Sequence, residues 1–386
     1  MTSHTYAFHL GRQKDLSQAE IFSVLEQQHV HIDNPRTVGE YLLISTSTPI
    51  DVPALMDTLG GTRLIGDKLD AQGDAKDTIS HYLESLPTDK KLHFSVSGGR
   101  HAETIAIEVK KKLKQAGRSV RFVKVMNTAT ILHNGLIERG THLTVIDNVV
   151  YVTRAIQPIE DMSERDYGRP QPDGFNGMLP PKLARMMINL TAPKKTDTLL
   201  DPFCGSGTLL GEAMSLGMEE IIGSDISEKA ISDTTKNLAW LKNNLSTQGG
   251  QSVVSNLQLF NSDVRTLTSY IAPKTVDVIA TEPLLGVPRK GREPRTFLLE
   301  QSRELKSLYL DAFAVFKKIL KSGGRVVFVI PRFKHNDNWI TIDCKKEIET
   351  LGFELLPYCE GLEMPLVYHR DGQHVGREIW RWKKSV

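Results

Sequence analysis

The sequence predicts an α/β fold whose C-terminal half is built on a mostly parallel sheet. Three observations carry this. Strand and helix patterns alternate from Met178 onward, a glycine-rich turn joins a buried strand to a helix over 199–210, and two apolar strands flank Asp371-Gly372 near the end. Alternating strands and helices are the pattern of a parallel sheet, and Asp-Gly between two such strands is a hairpin turn. The chain has 386 residues, 40% of them hydrophobic and 24% charged. At roughly 100–200 residues per domain this is two or three domains with a sizeable core, and disorder over most of the chain is excluded.

The elements follow in order. Tyr6–Leu10 reads as a strand, and Ser17–Gln28 as a helix burying Ile21, Val24 and Leu25. Tyr41–Ser45 reads as a strand and Pro53–Leu59 as a short helix that Gly60-Gly61 ends. A second unit from about Thr78 to Ile159 opens with the strand Leu92–Val96. Its helix Ala102–Ala116 carries Ile105, Ile107, Val109 and Leu113 beside Lys110, Lys111, Lys112 and Lys114. Arg121–Val125 is a strand, and Thr141–Thr153 holds two more. Asp161–Asn176, rich in Asp, Glu, Arg, Gly and Pro, reads as a linker. Beyond it, strands are expected at Thr198–Asp201, Glu220–Asp225, Leu257–Phe260, Val276–Thr281, Arg325–Ile330 and Phe353–Pro357. The helix Leu305–Leu320 has the clearest 3.6-residue period, and Gly323-Gly324 is expected to stop it. Leu366–His369 and Glu378–Trp382 form the closing hairpin.

Several classes are excluded. No apolar run approaches the roughly 18 residues of a membrane span. Met1–Leu10 lacks the basic and then apolar pattern of a secretory signal. Cys204, Cys344 and Cys359 are too few and scattered for a disulfide framework or a cysteine-rich zinc site, and the twelve histidines lack metal-ligand spacing, so no metal is expected. A reducing, cytoplasmic setting is the expectation. The net charge of +2 hides an asymmetry: residues 1–88 hold six basic and twelve acidic side chains, residues 89–140 eleven and four. The basic stretch suits a phosphate-binding face or a solvated helix.

The chemistry concentrates at Asp201-Pro202-Phe203-Cys204-Gly205-Ser206-Gly207-Thr208, between a buried strand and a helix. Glycines there let a ligand approach the backbone, and an acid at the tip of the next strand holds a ribose diol. Asp225 stands 20 residues after Gly205, where that acid belongs. A dinucleotide fingerprint fails because Leu210 occupies its third glycine, and no Gly-Lys-Ser/Thr of a phosphate loop is present.

That segment resembles motif I of class I S-adenosylmethionine (SAM) methyltransferases that modify amino groups. The resemblance implies a Rossmann-like domain with a seven-stranded sheet and an antiparallel C-terminal hairpin. It also implies that Asp201 and the turn Gly205, Ser206, Gly207 and Thr208 hold the methionine end of SAM, that Asp225 holds the ribose, and that Asp263 bonds the adenine amine. Phe203, Ile226 and Val264 complete that site, and Leu179 and Pro180 belong to a segment, Gly177 to Ala184, similar to one that packs over the cofactor. Such enzymes carry Asp/Asn-Pro-Pro-Tyr/Phe after strand four, where the acid accepts hydrogens of a poorly nucleophilic amine and the aromatic stacks on the base. Here the stretch is Glu282-Pro283-Leu284-Leu285, which keeps an acid and a proline as the catalytic pair, Glu282 and Pro283, and loses the aromatic. The order of parts, with Asp166-Tyr167-Gly168-Arg169-Pro170 ahead of motif I, resembles the THUMP-domain RNA methyltransferases. It is closest to the type making N2-methylguanosine at position 10 of tRNA.

This resemblance implies a ferredoxin-like module over 1–68, a THUMP RNA-binding domain over 69–160 and the methyltransferase domain over 161–386. The partner would be tRNA, gripped by Lys110, Lys111, Lys114, Arg118 and Arg121 and by Arg289, Lys290 and Arg292 of the loop after the catalytic motif. Eukaryotic relatives add a small zinc-binding activator; no membrane is involved. A DNA adenine or cytosine amino-methyltransferase is an alternative, and so is a non-catalytic protein that binds SAM and RNA, which the altered motif at 282–285 would suit.

Overall fold

A computed structural model describes residues 3–87, 90–171, 179–247, 254–359 and 361–386. Contacts divide the chain into two compact units, Met1–Lys14 with His29–Pro158, and Asp15–Gln28 with Ile159–Val386.

The first unit holds one eight-stranded sheet. Its strands are β1 (His4–Leu10), β2 (Ile32–Val38), β3 (Tyr41–Thr46), β4 (Thr62–Lys68), β5 (Leu92–Ser97), β6 (Val120–Phe122), β7 (His142–Ile146) and β8 (Val149–Ile156), in the order β2-β3-β1-β4-β8-β7-β5-β6. Helix α1 (Lys14–Gln27) interrupts this chain but belongs to the second unit, where Leu16 and Ala19 join its core and Glu20 accepts a 2.7 Å hydrogen bond from Asn189 Nδ2. Helices α2 (Val52–Thr58), α3 (Ala75–Ser85), α4 (Ala102–Gln115) and α5 (Thr128–His133) complete the first unit. The sheet continues across residue 68, because β4 pairs antiparallel with β8. Residues 1–68 and 69–156 therefore share one sheet. Two of its strands escape a reading by pattern. β2 contains Pro35, and its register with β3 breaks between Asp33 and Arg36; it is an edge strand, where a missing N–H is tolerated. β4 starts directly after Gly60-Gly61 and alternates poorly. Helix α3 carries its own signal in Asp74, whose side chain caps the helix by accepting from Asp77 N at 2.8 Å.

The second unit contains α6 (Ile159–Tyr167), α7 (Pro181–Leu190), β9 (Thr198–Asp201), α8 (Thr208–Ser215), β10 (Glu220–Asp225), α9 (Glu228–Thr247), β11 (Asn256–Asn261), a 3₁₀ turn (Val264–Ser269) and β12 (Val276–Thr281). After these come α10 (Arg295–Ile319), β13 (Leu320–His335), β14 (Asn338–Ile340), α11 (Lys345–Thr350), β15 (Phe353–Leu355), β16 (Leu366–Tyr368) and β17 (Val375–Lys384). The expected linker at 161–176 is largely corrected: α6 occupies its first half, tied by Arg165 Nε to Glu212 Oε1 at 2.6 Å, and 172–176 lie outside the described residues.

The main path of the second sheet is β11-β10-β9-β12-β13-β17-β15, with β14 added to β13 and β16 to β17. β9 to β13 run parallel, and β17 is antiparallel to β13, β15 and β16. The seven-strand path and the reversed C-terminal hairpin are as expected, and the two short added strands make the sheet nine-stranded. One core layer packs α7, α8 and α1 on one side of the sheet, with Leu183, Met187, Leu209 and Leu210 at its centre. The other packs α10 through Leu305, Tyr309, Phe313, Phe316 and Ile319. The expected glycine stop of that helix is corrected. α10 ends at Ile319 because Leu320 is already paired with Val276, and Gly323, at φ +74°, lies inside β13 where the register with β12 slips. The strand order reverses between β9 and β12, and ligands of open α/β sheets bind outside the C-terminal strand ends at such a point.

Candidate active site

A cleft of about 920 Å³ opens at that reversal, near the upper end of ordinary ligand sites at about 300–1,000 Å³. The ends of four parallel strands supply its acids: Asp201 ends β9, Asp225 ends β10, Asp263 follows β11 and Glu282 follows β12. Leu179, Pro180, Phe203, Gly205, Ser206, Thr208, Ile226, Val264, Pro283 and Arg289 also line it. Gly207 does not line it, and Gly177 and Met178 lie outside the described residues.

The motif I turn is held from several directions. Gly207 caps α8 at φ +84°, and a Cβ there would sit 2.8 Å from Thr234 Cγ2, so no other residue fits without movement. Gly205 N donates to Asp225 Oδ2 at 3.0 Å, and Asp225 Oδ1 accepts from Ser227 N at 2.9 Å. α9 buttresses the turn: Thr234 Oγ1 donates to Gly205 O at 2.7 Å and Asn237 Nδ2 to Ser206 O at 2.9 Å. Arg169 Nη1 donates to Thr208 Oγ1 at 2.6 Å, which gives the Arg-Pro segment ahead of motif I a structural role. Thr234 and Asn237 were missed; two polar residues three apart on a helix that follows the ribose acid were the available signal.

Asp201 is 3% exposed and accepts from Thr281 Oγ1 at 2.6 Å and Phe203 N at 3.2 Å, linking the tips of β9 and β12. Burial pushes its carboxyl up to about 7, against the pull of those two hydrogen bonds. Asp263 differs: its oxygens accept from Arg265 Nε at 3.0 Å and Nη2 at 2.5 Å, and the guanidinium holds its carboxyl below the usual range. Arg265 lines the cleft and was also missed. Ile226, 72% exposed, offers an apolar surface beside Asp225.

On the opposite side, Glu282 is paired with Arg377 of β17. Tyr309 of α10 donates its hydroxyl to Leu284 O at 2.7 Å and so fixes the loop that follows. Leu284 is 58% exposed, and Leu285 packs on the core. Phe203 and Tyr368 also line the cleft.

The cations divide. Arg289, expected to contact phosphate, has a side chain only 2% exposed, which donates to His374 O at 2.8 Å, pairs with Glu293 at 3.1 Å and lies 5.6 Å over Phe333. Its charge is used inside the loop. Burial works against ionised Glu293, but the backbone N–H groups of Lys290 and of Glu293 itself together with Arg289 hold its carboxyl down at about 2. Lys290 and Arg292 are exposed. In the first unit Arg118 is likewise committed, donating to Leu86 O and Pro87 O at 2.7 Å and to Leu83 O at the end of α3. Lys111, Lys114 and Arg121 are exposed and Lys110 half-buried. Among the described residues no group of His, Cys, Asp and Glu could hold a metal ion, and no helix is long and apolar enough to cross a membrane.

A profile of the UPF0020 family, the RMKL-like methyltransferase domain, matches residues 169–349. A probable tRNA (guanine(10)-N2)-dimethyltransferase of Methanothermococcus thermolithotrophicus is 31% identical over 151 residues, which cover 39% of this chain and 80% of that protein. The chain belongs to this tRNA guanine-N2 methyltransferase family. Similar tRNA (guanine(10)-N2)-dimethyltransferases come from Methanothermobacter thermautotrophicus, 30% identical over 42% of this chain and 41% of its own, and Methanocaldococcus jannaschii, 28% identical over 49% and 48%. The chain spans less than half the length of these two relatives. The crystal structure of TrmN from Thermus thermophilus covers 99% of this chain and 100% of its own with a TM-score of 0.52 at 18% identity, and so shares the fold. The stretch Glu282-Pro283-Leu284-Leu285 differs from the motif expected from the sequence and needs its own physical account.

Proposed function

We propose that this protein transfers a methyl group from SAM to the exocyclic N2 amine of a guanosine in tRNA. The observation that carries the reading is the arrangement of the cleft: the motif I turn and Asp225 stand on one side of the β9–β12 reversal and the Glu282 carboxylate on the other. The residues fit the cofactor. Gly205 has open space where a Cβ would stand, and Asp201, Asp225 and Asp263 all line the cleft, which supports acceptors for an ammonium, a ribose and an adenine amine. Asp201 would hold the methionine end, Asp225 the ribose diol and Asp263 the adenine amine, with Phe203, Ile226, Val264, Leu179 and Pro180 closing over them. SAM, when bound, supplies a methyl group on a sulfonium.

The chain's own residues then address the amine. Its lone pair is delocalised into the ring, so nitrogen is a weak nucleophile until its hydrogens are held and it is turned toward the methyl carbon. Glu282 accepts those hydrogens, and Pro283, which donates no N–H, presents a carbonyl beside it. Leu284 and Leu285 cover the base without aromatic stacking, a loss of about 1–3 kcal/mol per base.

We assign tRNA binding to the N-terminal unit, with residues 69–160 as a THUMP domain and 1–68 as a ferredoxin-like module, and to Lys111, Lys114 and Arg121 together with Lys290 and Arg292 as phosphate contacts. The protein would work in the cytoplasm. The test is mass spectrometry of nucleosides from tRNA of cells with and without this protein, beside transfer of radiolabelled methyl from SAM to unmodified tRNA and to duplex DNA. Loss of one N2-methylated guanosine, with label entering tRNA alone, is expected. Label entering DNA, or entering neither, overturns the assignment.

A further inference from the structure

The Glu282 carboxylate is gripped on both oxygens. Arg377 Nε donates to Oε2 and Nη2 to Oε1, the latter at 3.0 Å, with the two side chains 9% and 11% exposed. Arg377 lies near the start of β17, opposite Pro331 of β13 on one side and Tyr368 of β16 on the other, and both members of the pair line the cleft. A buried ion pair is weak evidence for stability, since two packed apolar side chains often serve as well. Its position asks for another account.

The geometry supplies one. An ionised carboxylate has about four lone-pair sites, and a guanidinium fork takes one on each oxygen. One site remains on each. Glutamate also carries one more rotatable bond than the aspartate or asparagine of the usual motif, so an unrestrained carboxylate would sweep a wider arc. The fork is planar and rigid, and it fixes both the position and the plane of the acid. The two open sites match two neighbouring donors, as on the N1–H and N2–H₂ edge of guanine. No aromatic at 284–285 is there to hold the base by stacking, so hydrogen bonding carries more of the alignment.

We infer that Arg377 is a positioning residue for the methyl-acceptor amine: by clamping Glu282 it lets a longer acid do the work of the aspartate or asparagine in the usual motif. This rests on the role of Glu282 proposed above.

The test compares the full-length wild type, Arg377→Gln, Arg377→Lys, Glu282→Gln and the double variant Glu282→Gln/Arg377→Gln on a tRNA transcript with radiolabelled SAM. SAM affinity and thermal midpoint are measured for each. Arg377→Gln should lower kcat about 10²-fold, the size of a misplacement of about 1 Å, with KM for tRNA changed by less than about threefold and SAM affinity unchanged. Arg377→Lys keeps the charge without the fork and should fall in between. The double variant should be no slower than Glu282→Gln, because Arg377 acts through that acid. Wild-type turnover by Arg377→Gln, or a double variant slowed by the full product of the two single effects, overturns the inference. A wild type that methylates no guanosine overturns the substrate reading instead. Crystal structures of the wild type and Arg377→Gln with S-adenosylhomocysteine need no turnover: a displaced Glu282 carboxylate is expected in the variant, and an unmoved one sinks the inference by itself. If Arg377→Gln does not fold, Arg377→Lys carries both measurements.

Discussion

The two sides of the cleft are built differently. On the cofactor side, Asp201, the turn at 205–208 and Asp225 lie within 25 residues, and backbone N–H groups and the nearby helix α9 hold them. On the acceptor side, the acid is held by an arginine 95 residues away. A local site tolerates change elsewhere as long as its turn forms. A site closed by a distant ion pair depends on the register of a whole sheet. The comparison explains how the acceptor motif can depart from the usual residues while motif I keeps its form: a partner on another strand offers a second way to orient an acid.

The largest test of this contrast is Glu282→Ala. It should cut methyl transfer by about 10²–10⁴-fold while leaving SAM binding intact, since the hydrogen bonds of this side chain go to Arg377 and not to the motif I turn among the described residues. Loss of SAM binding in calorimetry would show that the sides are not separable. Asp225→Ala should do the reverse and weaken SAM by about 10²-fold, because it removes charged acceptors from the ribose and strands the N–H of Gly205 and Ser227. Unchanged affinity would remove the ribose assignment.

A pH experiment comes next in size. With its carboxyl at about 7, Asp201 is protonated in the free protein at pH 6, and an incoming ammonium favours the ionised form. Binding therefore releases a proton, and SAM affinity should fall by up to about tenfold per unit as pH drops below 7. Calorimetry in two buffers of different ionisation heat reads that proton, and Asp201→Asn should flatten the profile. For folding the sign is opposite. The folded-state value lies above the ordinary 3.8, so this group stabilises the unliganded fold at low pH, and the contribution is lost as pH rises through about 7.

The smallest effects separate the cations of the loop after Glu282. Lys290→Ala and Arg292→Ala should each reduce the salt slope of tRNA binding by about 1. Arg289→Ala should leave that slope unchanged and lower stability by about 1–3 kcal/mol, because it breaks a buried network. Filter binding across a salt series, beside thermal denaturation, distinguishes them. A slope change in Arg289→Ala would return that residue to the RNA surface.

Much of the fold was legible. Strands β9, β10 and β12 occupy the expected residues, since buried parallel strands are short apolar runs bounded by turns. The N-terminal edge strand β2 was hidden by its proline. The membership of α1 in the second unit was hidden because an amphipathic period marks a buried face and does not say which core buries it. The cations illustrate the same limit: Arg118 and Arg121 are neighbours of equal charge in a basic stretch, yet one caps a helix end and the other is exposed.

The amino-acid sequence alone marked the turn and the acid of the side proposed for the cofactor, because a left-handed glycine turn and a carboxylate on the following strand are local requirements that residue types at fixed spacing express. Only the tertiary structure decided the acceptor side. Antiparallel pairing of β17 with β13 brings Arg377 to Glu282, and that register is set by the packing of the whole sheet, which no short stretch of residues encodes.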